Sequence, residues 1–419
     1  MFIIYDFIFL IFAIFYLPIF LLRKKSHRGF SRRLGIIPRG FTFHNPVWIH
    51  AVSVGEAIAV RGLWQKLKQN FPMKEFLIST VTPSGNKIVS RMSNDDYITY
   101  LPLDFGFIVK KVIDRIKPAI FIIAETEIWP NLISYLFRKN IPIVVVNGRI
   151  SDTSFRGYLF IKLLIKPILN KVNMFCVQSK HDAERLLRLG VRQEKIRVTG
   201  NMKFDMRGEQ EDLQRDYRAL LNLGPQEKLF LAGSTHTKEE EIIIQAYKHL
   251  LVEVPGLRLM IAPRHTERTS KVEAIIMKYG FSPSCIYQLM QDSNRKPDAR
   301  SIFVLDTVGN LSSFYKIADV VFVGGSLARK GGHNILEPAS WGKPVLFGPH
   351  MFNFRDIAGL FLENKVGILV HNAEELKAAA KALLADPEKA RALGEKAREL
   401  ILANQGATQL NLEYISKLI

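Results

Sequence analysis

The chain has 419 residues, of which 48% are hydrophobic and only two are cysteine. This length and apolar content fit two or three packed domains, and two distant cysteines exclude a disulfide framework. Lysine and arginine number 58 against 39 for aspartate and glutamate, and the net charge of +19 predicts an acidic partner: a nucleic acid, an anionic membrane or a phosphorylated ligand.

The amino-terminal stretch predicts a membrane anchor over residues 1–22. Residues 2–22 are almost wholly apolar, with Asp6 the one charged residue, and a helix of this length is about 31 Å long, close to the thickness of a bilayer core. No basic region precedes the run and no small-residue cleavage site follows it, so a signal peptide is disfavoured. A basic cluster from Arg23 to Arg39 predicts that the remaining chain stays on the cytoplasmic side. Spanning and interfacial placements of the anchor both fit.

Residues 46–205 alternate between short apolar runs and helical patterns. This alternation predicts a parallel sheet covered on both faces. Ser179 has a side chain that commonly caps the start of a helix. We predict strands at 47–52, 76–81, 118–124, 141–146 and 174–177, and helices at 55–69, after Pro83, at 130–139 and at 179–189.

Residues 148–171 mix apolar side chains such as Phe160, Leu163 and Leu164 with basic ones such as Arg156 and Lys162. The preferred interpretation is a buried helix with a solvated rim. The alternative is a surface that meets lipid chains and phosphates.

A polar stretch at 206–225 predicts a linker, after which the alternation of strands and helices starts again. The predicted architecture is α/β, with two Rossmann-like, doubly wound domains at residues 23–210 and 211–419 and a cleft between them. The last helix is a candidate to pack back on the first domain. In the second domain we predict strands at 228–232, 257–262, 301–305 and 320–323, and helices from 238, at 267–279, at 311–317 and at 373–404.

Three carboxylates follow predicted strands of the first domain. Glu56 comes after a strand and a glycine turn, in the first turn of a helix, where ligands and catalytic groups of α/β domains collect. On spacing alone an acid stabilised by the helix dipole is an equal alternative. Glu125 and Glu127 stand between a strand and a helix in the same domain. Their spacing gives no convincing hard-cation site, so a metal is the weaker option.

The second domain has a glycine-rich segment at 324–339 that follows a strand and precedes a helix. Glycines let a backbone approach a ligand closely, and a helix start presents N–H groups to a phosphate. The segment has neither a Walker A nor a dinucleotide-binding pattern. Arg264 and His265 follow another strand, and the arginine fork suits a phosphate. Glu337 is placed to accept hydrogen bonds from ribose hydroxyls.

With these motifs in view, the chain resembles the 3-deoxy-D-manno-octulosonic acid (Kdo) transferases of lipid A assembly over essentially its whole length. The resemblance implies the two-domain glycosyltransferase-B (GT-B) fold, an N-terminal membrane anchor, CMP-Kdo as donor co-substrate and a lipid A precursor (lipid IVA) as acceptor. It also implies inversion at the anomeric carbon, no cofactor and no essential metal. The motifs are residues 50–56 (HAVSVGE), 125–131 (ETEIWPN), 146–150 (VNGRI), 262–265 (APRH), 324–326 (GGS) and 331–338 (GGHNILEP).

The resemblance, together with the strand-end positions, assigns roles to individual residues. Glu56 is the expected general base, and Glu125 and Glu127 support it. Ser53 and Arg149 are assigned to the acceptor or its phosphates. The expected CMP-binding residues are Arg264, His265, Gly324, Ser326, Gly331, Gly332, His333, Asn334 and Glu337.

The expected location is the cytoplasmic side of a bacterial inner membrane, with anionic lipids as partners and no nucleic acid. One alternative is another membrane-associated GT-B enzyme that uses a nucleotide sugar, such as a lipid A disaccharide synthase, or an epimerase. A non-enzyme alternative is a tethered binding protein for anionic lipid or nucleic acid, which predicts salt-sensitive binding without turnover.

Overall fold

Internal contacts divide the chain into two compact units, which are residues 1–206 together with 404–419 (unit 1) and residues 207–403 (unit 2). The sequence predicts a boundary at 210/211 and leaves open on which domain the last helix packs. The computed structural model describes residues 5–6, 30–37, 41–92, 95–205, 215–292, 296–298 and 300–419.

Unit 1 alternates strands and helices and includes two short 3₁₀ turns, at Gln193–Lys195 and Met202–Asp205. Its elements are α1 (Phe30–Arg33), β1 (Val47–His50), α2 (Val54–Asn70), β2 (Phe76–Thr80), α3 (Pro83–Met92), β3 (Tyr97–Tyr100), α4 (Gly106–Ile116), β4 (Ile120–Ala124), α5 (Pro130–Arg138), β5 (Ile143–Gly148), α6 (Asp152–Phe160), α7 (Lys162–Leu169), β6 (Met174–Val177), α8 (Lys180–Arg188) and β7 (Ile196–Val198).

The strands of unit 1 form one parallel sheet in the order β3-β2-β1-β4-β5-β6-β7. Strands β1 and β4 are buried along their whole length, as expected for strands covered on both faces. Trp48 and Phe121 enter the core on one face, and Ile49 and Ile122 enter the core on the other. The predicted parallel sheet is confirmed, as is the Ser179 cap, which accepts from the Asp182 N–H. Strands β3 and β7 escaped prediction because they are short and only partly buried.

Unit 2 repeats the alternation and has one 3₁₀ turn at Thr266–Arg268. The last helix of the chain, α18, belongs to unit 1. The elements of unit 2 are α9 (Tyr217–Leu220), β8 (Lys228–Thr235), α10 (Glu239–Glu253), β9 (Leu257–Pro263), α11 (Thr269–Lys278), β10 (Ser282–Cys285), α12 (Ile286–Gln291), β11 (Ser301–Val304), α13 (Leu311–Ile317), β12 (Val320–Val323), α14 (Leu336–Ser340), β13 (Val345–Phe347), α15 (Arg355–Glu363), β14 (Gly367–Leu369), α16 (Ala373–Ala385) and α17 (Pro387–Ala403). Helix α18 of unit 1 spans Ala407–Ser416.

The sheet of unit 2 is also parallel, in the order β10-β11-β9-β8-β12-β13-β14. The single helix predicted at 373–404 is wrong, because the chain breaks between α16 and α17. Pro387 has no N–H and restrains Asp386, which takes an extended conformation (φ −127°, ψ 86°). The proline instead occupies the first position of α17, where its missing N–H is not needed.

The predicted anchor lies outside the described residues, apart from Tyr5 and Asp6. Asp6 contacts the starts of α4 and α5: its Oδ1 accepts from Asn131 Nδ2 at 2.6 Å and from the Gly106 N–H at 3.2 Å. Among the described residues, every helix is too short or too polar to cross a membrane.

The preferred interpretation of residues 148–171 as a buried helix is wrong for the turn between α6 and α7. Phe160 is 93% exposed and Leu163 89% exposed, whereas Phe155 and Ile165 are buried. These two short helices therefore cover the core with one face and present bare apolar side chains on the other.

Candidate active site

Both sheets reverse their strand order at one point, which is where ligands of open α/β sheets bind, at the carboxyl ends of the strands. In unit 1 the reversal falls between β1 and β4, and in unit 2 it falls between β8 and β12. Glu56 and Glu125 follow the first pair of strands, and His236 and Gly325 follow the second pair. The strand order thus selects one candidate site in each unit.

Glu56 is fixed by the local backbone at the start of α2. Its Oε2 accepts from the Val52 N–H at 2.7 Å and its Oε1 accepts from the Ser53 hydroxyl at 2.8 Å. Ser53 in turn caps the helix by accepting from the Glu56 N–H, so the two side chains bond to each other as in a capping box, except that the Val52 N–H replaces that of the capping residue. The geometry shows Glu56 as part of the helix cap, which also fixes the position of its carboxylate, and its catalytic role stays a prediction.

Glu56, Glu125 and Glu127 form an acidic cluster at the switch point of unit 1. Burial foremost, and then the negative charges of Glu125 and Glu127, raise the pKa of Glu56 to about 7 against the opposing hydrogen bonds from Ser53 and Val52. Burial, and then the charge of Glu125, also raises the pKa of Glu127. A carboxylate with a pKa near 7 is able both to take up and to release a proton at neutral pH.

Glu125 has a strained backbone and a cationic neighbour. Its φ is +57°, in the left-handed region that non-glycine residues rarely adopt. Lys203 Nζ lies 3.8 Å from Glu125 Oε1, and its side chain is only 11% exposed. The Met202 N–H donates to Asn147 Oδ1 at 2.9 Å, which ties the Lys203 segment to the end of β5. Sequence reasoning missed Lys203, since it lies far along the chain from Glu125.

Ser53 and Arg149, the residues assigned to the acceptor, both lie near this cluster. The hydroxyl of Ser53 donates to Glu56 and so helps to hold that carboxylate in place. The Arg149 N–H donates to Thr126 Oγ1 at 3.1 Å, which places the half-buried Arg149 beside the loop that carries Glu125 and Glu127.

In unit 2 the buried Glu239 occupies the N–H groups of the glycine-rich loop. Its two carboxylate oxygens accept five backbone N–H groups at 2.7 to 3.0 Å, those of His236, Gly325, Ser326, Leu327 and Ala328. These N–H groups would otherwise form an anion-binding nest. The side chain thus fixes the loop and fills the position that a phosphate would take in a bare nest.

Gly324 and Ser326 support the loop from within. A Cβ at Gly324 would lie 2.6 Å from the Ser234 carbonyl oxygen, so only glycine fits. Ser326 is fully buried; its hydroxyl donates to the Val323 carbonyl at 2.5 Å and accepts from the Gly348 N–H at 2.8 Å. The Ser326 hydroxyl thus bonds inside the fold in this structure, and its predicted contact with a nucleotide stays a prediction.

His236, His265 and His333 form a histidine cluster beside the loop. The Nε2 atoms of His236 and His333 lie 2.9 Å apart, and their rings are parallel within 8°. Burial and nearby cations, Arg264 foremost for His333, lower the pKa of His236 to about 4 and that of His333 to about 3. The pair is therefore neutral at pH 7 and shares a single proton across its hydrogen bond. Sequence reasoning missed His236, which stands 97 positions from its partner.

The remaining residues predicted to bind the donor lie on the same loops. Arg264 and His265 are exposed just after β9, where the Arg264 N–H donates to the Thr235 carbonyl at 3.0 Å. Gly331 and Gly332 have φ of +97° and +70°, which explains why glycine stands there.

The predicted helix start lies further along the chain than these glycines. Helix α14 begins only at Leu336, whose N–H is capped by Asn334 Oδ1 at 3.1 Å, and it spans five residues. Glu337 lies half-buried in its first turn. Within the described residues, no group of three or more His, Cys, Asp or Glu side chains is arranged to hold a metal ion.

Comparison with known proteins assigns the two units to two families. Residues 28–206 match the family described as 3-deoxy-D-manno-octulosonic-acid transferase (kdotransferase). Residues 214–400 match the family described as glycosyl transferases group 1.

Two relatives match over most of their length. The chain is 36% identical over 374 residues to a 3-deoxy-D-manno-octulosonic acid transferase of Haemophilus influenzae, covering 88% of this chain and 86% of the relative. It is 30% identical to the enzyme of that name from Rickettsia bellii, covering 98% and 97% of the two chains.

Two solved structures share the fold. A UDP-GlcNAc 2-epimerase from Neisseria meningitidis matches with a TM-score of 0.59 at 12% identity, covering 89% of this chain and 100% of that one. A glycosyltransferase from Rickettsia africae matches with a TM-score of 0.54 at 16% identity, covering 90% and 99%. At these identities only the fold is common, and it is that of two parallel-sheet, Rossmann-like domains of the GT-B type.

Proposed function

The chain belongs to the 3-deoxy-D-manno-octulosonic acid (Kdo) transferase family and is a glycosyltransferase, and from this premise we propose that it transfers Kdo from CMP-Kdo to a lipid A precursor with inversion. The observation that carries the proposal is the fixed Glu56 carboxylate at the switch point of unit 1, with a pKa of about 7. A group of this kind is suited to take a proton from a sugar hydroxyl.

Glu56 acts as the general base in the proposed reaction. An acceptor hydroxyl oxygen attacks the anomeric carbon of Kdo while the bond from that carbon to the CMP phosphate oxygen breaks. The hydroxyl proton passes to Glu56, and CMP leaves with the bonding electron pair. Ser53 and the Val52 N–H each use one carboxylate oxygen of Glu56, and the remaining lone pairs are available to the proton.

Unit 2 holds the donor in this proposal. The leaving phosphate carries negative charge, which the Arg264 guanidinium can bind through two parallel hydrogen bonds. The neutral pair of His236 and His333 offers hydrogen bonds without adding charge. Asn334, just before α14, and Glu337, in its first turn, are assigned to bind the nucleoside. No cofactor or metal is assigned a step.

Arg264→Ala is expected to weaken binding of CMP by about tenfold or more, because a charge-assisted, two-pronged contact with the phosphate is lost. Calorimetric titration with CMP measures the effect. Arg264→Lys should recover only part of the affinity, since lysine keeps the charge but not the fork. Arg300→Ala, which removes another exposed arginine of unit 2, is the matched control. Unchanged CMP affinity in Arg264→Ala would exclude a contact between Arg264 and the phosphate.

We place the enzyme on the cytoplasmic face of a bacterial inner membrane, through the predicted anchor and the apolar turn between α6 and α7. Phe160 and Leu163 are almost fully exposed and Leu164 is more than half exposed. Arg156 and Lys166, also exposed, flank them with positive charge. Bare apolar side chains with a cationic rim suit an anionic lipid interface.

The double variant Phe160→Ser with Leu163→Ser is expected to raise the KM for a lipid acceptor presented in anionic vesicles by about tenfold, because two apolar anchors are lost. Activity on the same acceptor dispersed in detergent should change little. The matched control is Met73→Ser with Val252→Ser, which removes two apolar side chains that are 94% and 85% exposed elsewhere. An equal rise in KM in both double variants would argue against a specific role of the turn between α6 and α7 at the lipid surface.

The activity itself is tested by incubating the full chain with CMP-Kdo and the lipid A precursor and weighing the lipid by mass spectrometry. A gain of one or more Kdo units is the expected result, and the gain counts the transfers. Transfer from a UDP-sugar in place of CMP-Kdo would instead favour an enzyme resembling lipid A disaccharide synthase. Salt-sensitive lipid binding without any transfer would favour the tethered binding protein.

A further inference from the structure

A cavity with charged and apolar lining residues lies in unit 2 at the edge of the sheet opposite the glycine-rich loop. It has a volume of about 220 Å³ and is lined by residues that include Lys228, Asp319, Lys343 and Arg391. Lys228 begins β8, and Asp319 directly precedes β12. The cavity therefore opens at the amino ends of the strands, whereas the candidate donor site lies at their carboxyl ends.

The chain builds the wall of this cavity from close backbone packing. The turn that follows helix α14 contains Gly342, whose φ is +67°, and the Lys343 N–H donates back to the Pro338 carbonyl at 3.3 Å. Helix α17 lies directly against this turn, because a Cβ at Gly394 would come within 1.8 Å of the Gly342 carbonyl oxygen. The break at Pro387 sets α16 and α17 apart and opens the cavity between them.

The cavity carries an excess of positive charge. Lys228 Nζ donates to the Leu384 carbonyl, and Arg391 is exposed on the second turn of α17. Lys343 is half-buried, and within the described residues its ammonium group has no hydrogen bond or ion pair. Burial lowers the pKa of Lys343, against the opposing charge of Asp319.

Carboxylates only partly offset these cations. Asp319 is the single acid among the described lining residues, and its Oδ2 already accepts from the Leu229 N–H at 2.7 Å. The charge of Glu395, outside the lining, also reaches Lys343. The start of α17 adds the positive end of a helix dipole. A half-buried ammonium without a partner is unfavourable unless an anion or water completes it.

We propose that this cavity is a second anion site, distinct from the donor site, which binds a compact phosphate group through Lys343 and Arg391. The volume of about 220 Å³ is large enough for inorganic phosphate or the phosphoryl group of a small ester. Phosphate is favoured over a monocarboxylate because lysine and arginine together can neutralise two charges.

Fluorescence of Trp341 tests the proposal on the full chain. Trp341 is the one tryptophan of residues 207–403, and it stands next to Gly342 of the cavity wall. Titration with inorganic phosphate at constant ionic strength should give a saturable change, and acetate or chloride should give none. Lys343→Met is expected to weaken phosphate binding on the order of tenfold, and Lys248→Met, which removes an exposed lysine of α10, should not.

Two controls separate this site from the donor site and from loss of fold. Arg264→Ala should leave phosphate binding unchanged if the anion binds in the cavity. Loss of phosphate binding in Arg264→Ala would overturn the proposal and place the phosphate at the donor site. Arg391→Gln should weaken binding as well, and it replaces Lys343→Met if that variant fails to fold by circular dichroism. Phosphate affinity equal to wild type in the folded variants, or no saturation in the wild type, would also overturn the proposal.

Discussion

Glu56→Gln is expected to lower the turnover number by about 10² to 10⁴, the usual contribution of a general base, while the fold and CMP affinity stay as in the wild type. Glutamine has the same shape and can keep one of the two hydrogen bonds that hold Glu56, those from the Val52 N–H and the Ser53 hydroxyl. It cannot take up a proton. Turnover is measured by mass spectrometry of the lipid product, and CMP affinity by calorimetry.

The pH profile distinguishes the base from a merely structural acid. The active form of Glu56 is ionised, so the wild-type kcat/KM should rise with pH and level off above an inflection near 7. Glu125→Gln should move that inflection to lower pH, because the charge that opposes ionisation of Glu56 is removed. Glu184→Gln, an exposed change on α8, is the matched control. Wild-type turnover in Glu56→Gln would exclude Glu56 as the base.

Glu239→Ala is expected to destabilise unit 2 by about 4 kcal/mol, because five backbone N–H groups lose their acceptor and each buried group left unsatisfied costs about 1–3 kcal/mol. Only those of Gly325 and Ser326 are buried, and water can replace part of the contact at the other three. CMP binding should fall with it, since the loop at 325–328 loses the side chain that shapes it. Denaturant unfolding followed by circular dichroism and intrinsic tryptophan fluorescence, to which Trp341 contributes from unit 2, gives the free energy of unfolding.

Two further variants define the role of Glu239. Glu239→Gln should lower the free energy of unfolding by less than Glu239→Ala does. Its side-chain amide keeps one acceptor oxygen for the loop, but its NH₂ group faces N–H groups that it cannot bond. Glu241→Ala, in the same helical turn, removes only an exposed pair with Lys278 and should change stability by no more than about 1 kcal/mol. A Glu239→Ala protein that unfolds at the wild-type denaturant concentration would contradict the assigned role.

The position of the acidic cluster could be predicted because it depends on strand order. Glu56 and Glu125 each follow a buried apolar strand, and short strands alternating with helices predict a parallel sheet. The carboxyl ends of such strands share one edge, so acids at these ends are expected near each other. The same rule identified the loops that carry Arg264 and the glycine-rich segment.

The internal supports of the site could not be predicted from the sequence. Glu239 begins a run of three glutamates that looks like an ordinary acidic helix start, and no pattern indicates that the side chains of Glu239 and Glu240 are buried. Lys203 and His236 meet their partners only through the tertiary fold. Ser326 follows two glycines, as a ligand-binding serine would, yet its hydroxyl faces the core.

The Glu239 carboxylate has a consequence for the thermodynamics of donor binding. Loops that close on phosphates often lose conformational entropy when the ligand binds. Here residues 325–328 are held by hydrogen bonds to an anion that belongs to the protein itself, so their ordering is completed during folding. The entropy lost when the nucleotide arrives is then confined to the ligand and to exposed side chains such as Arg264.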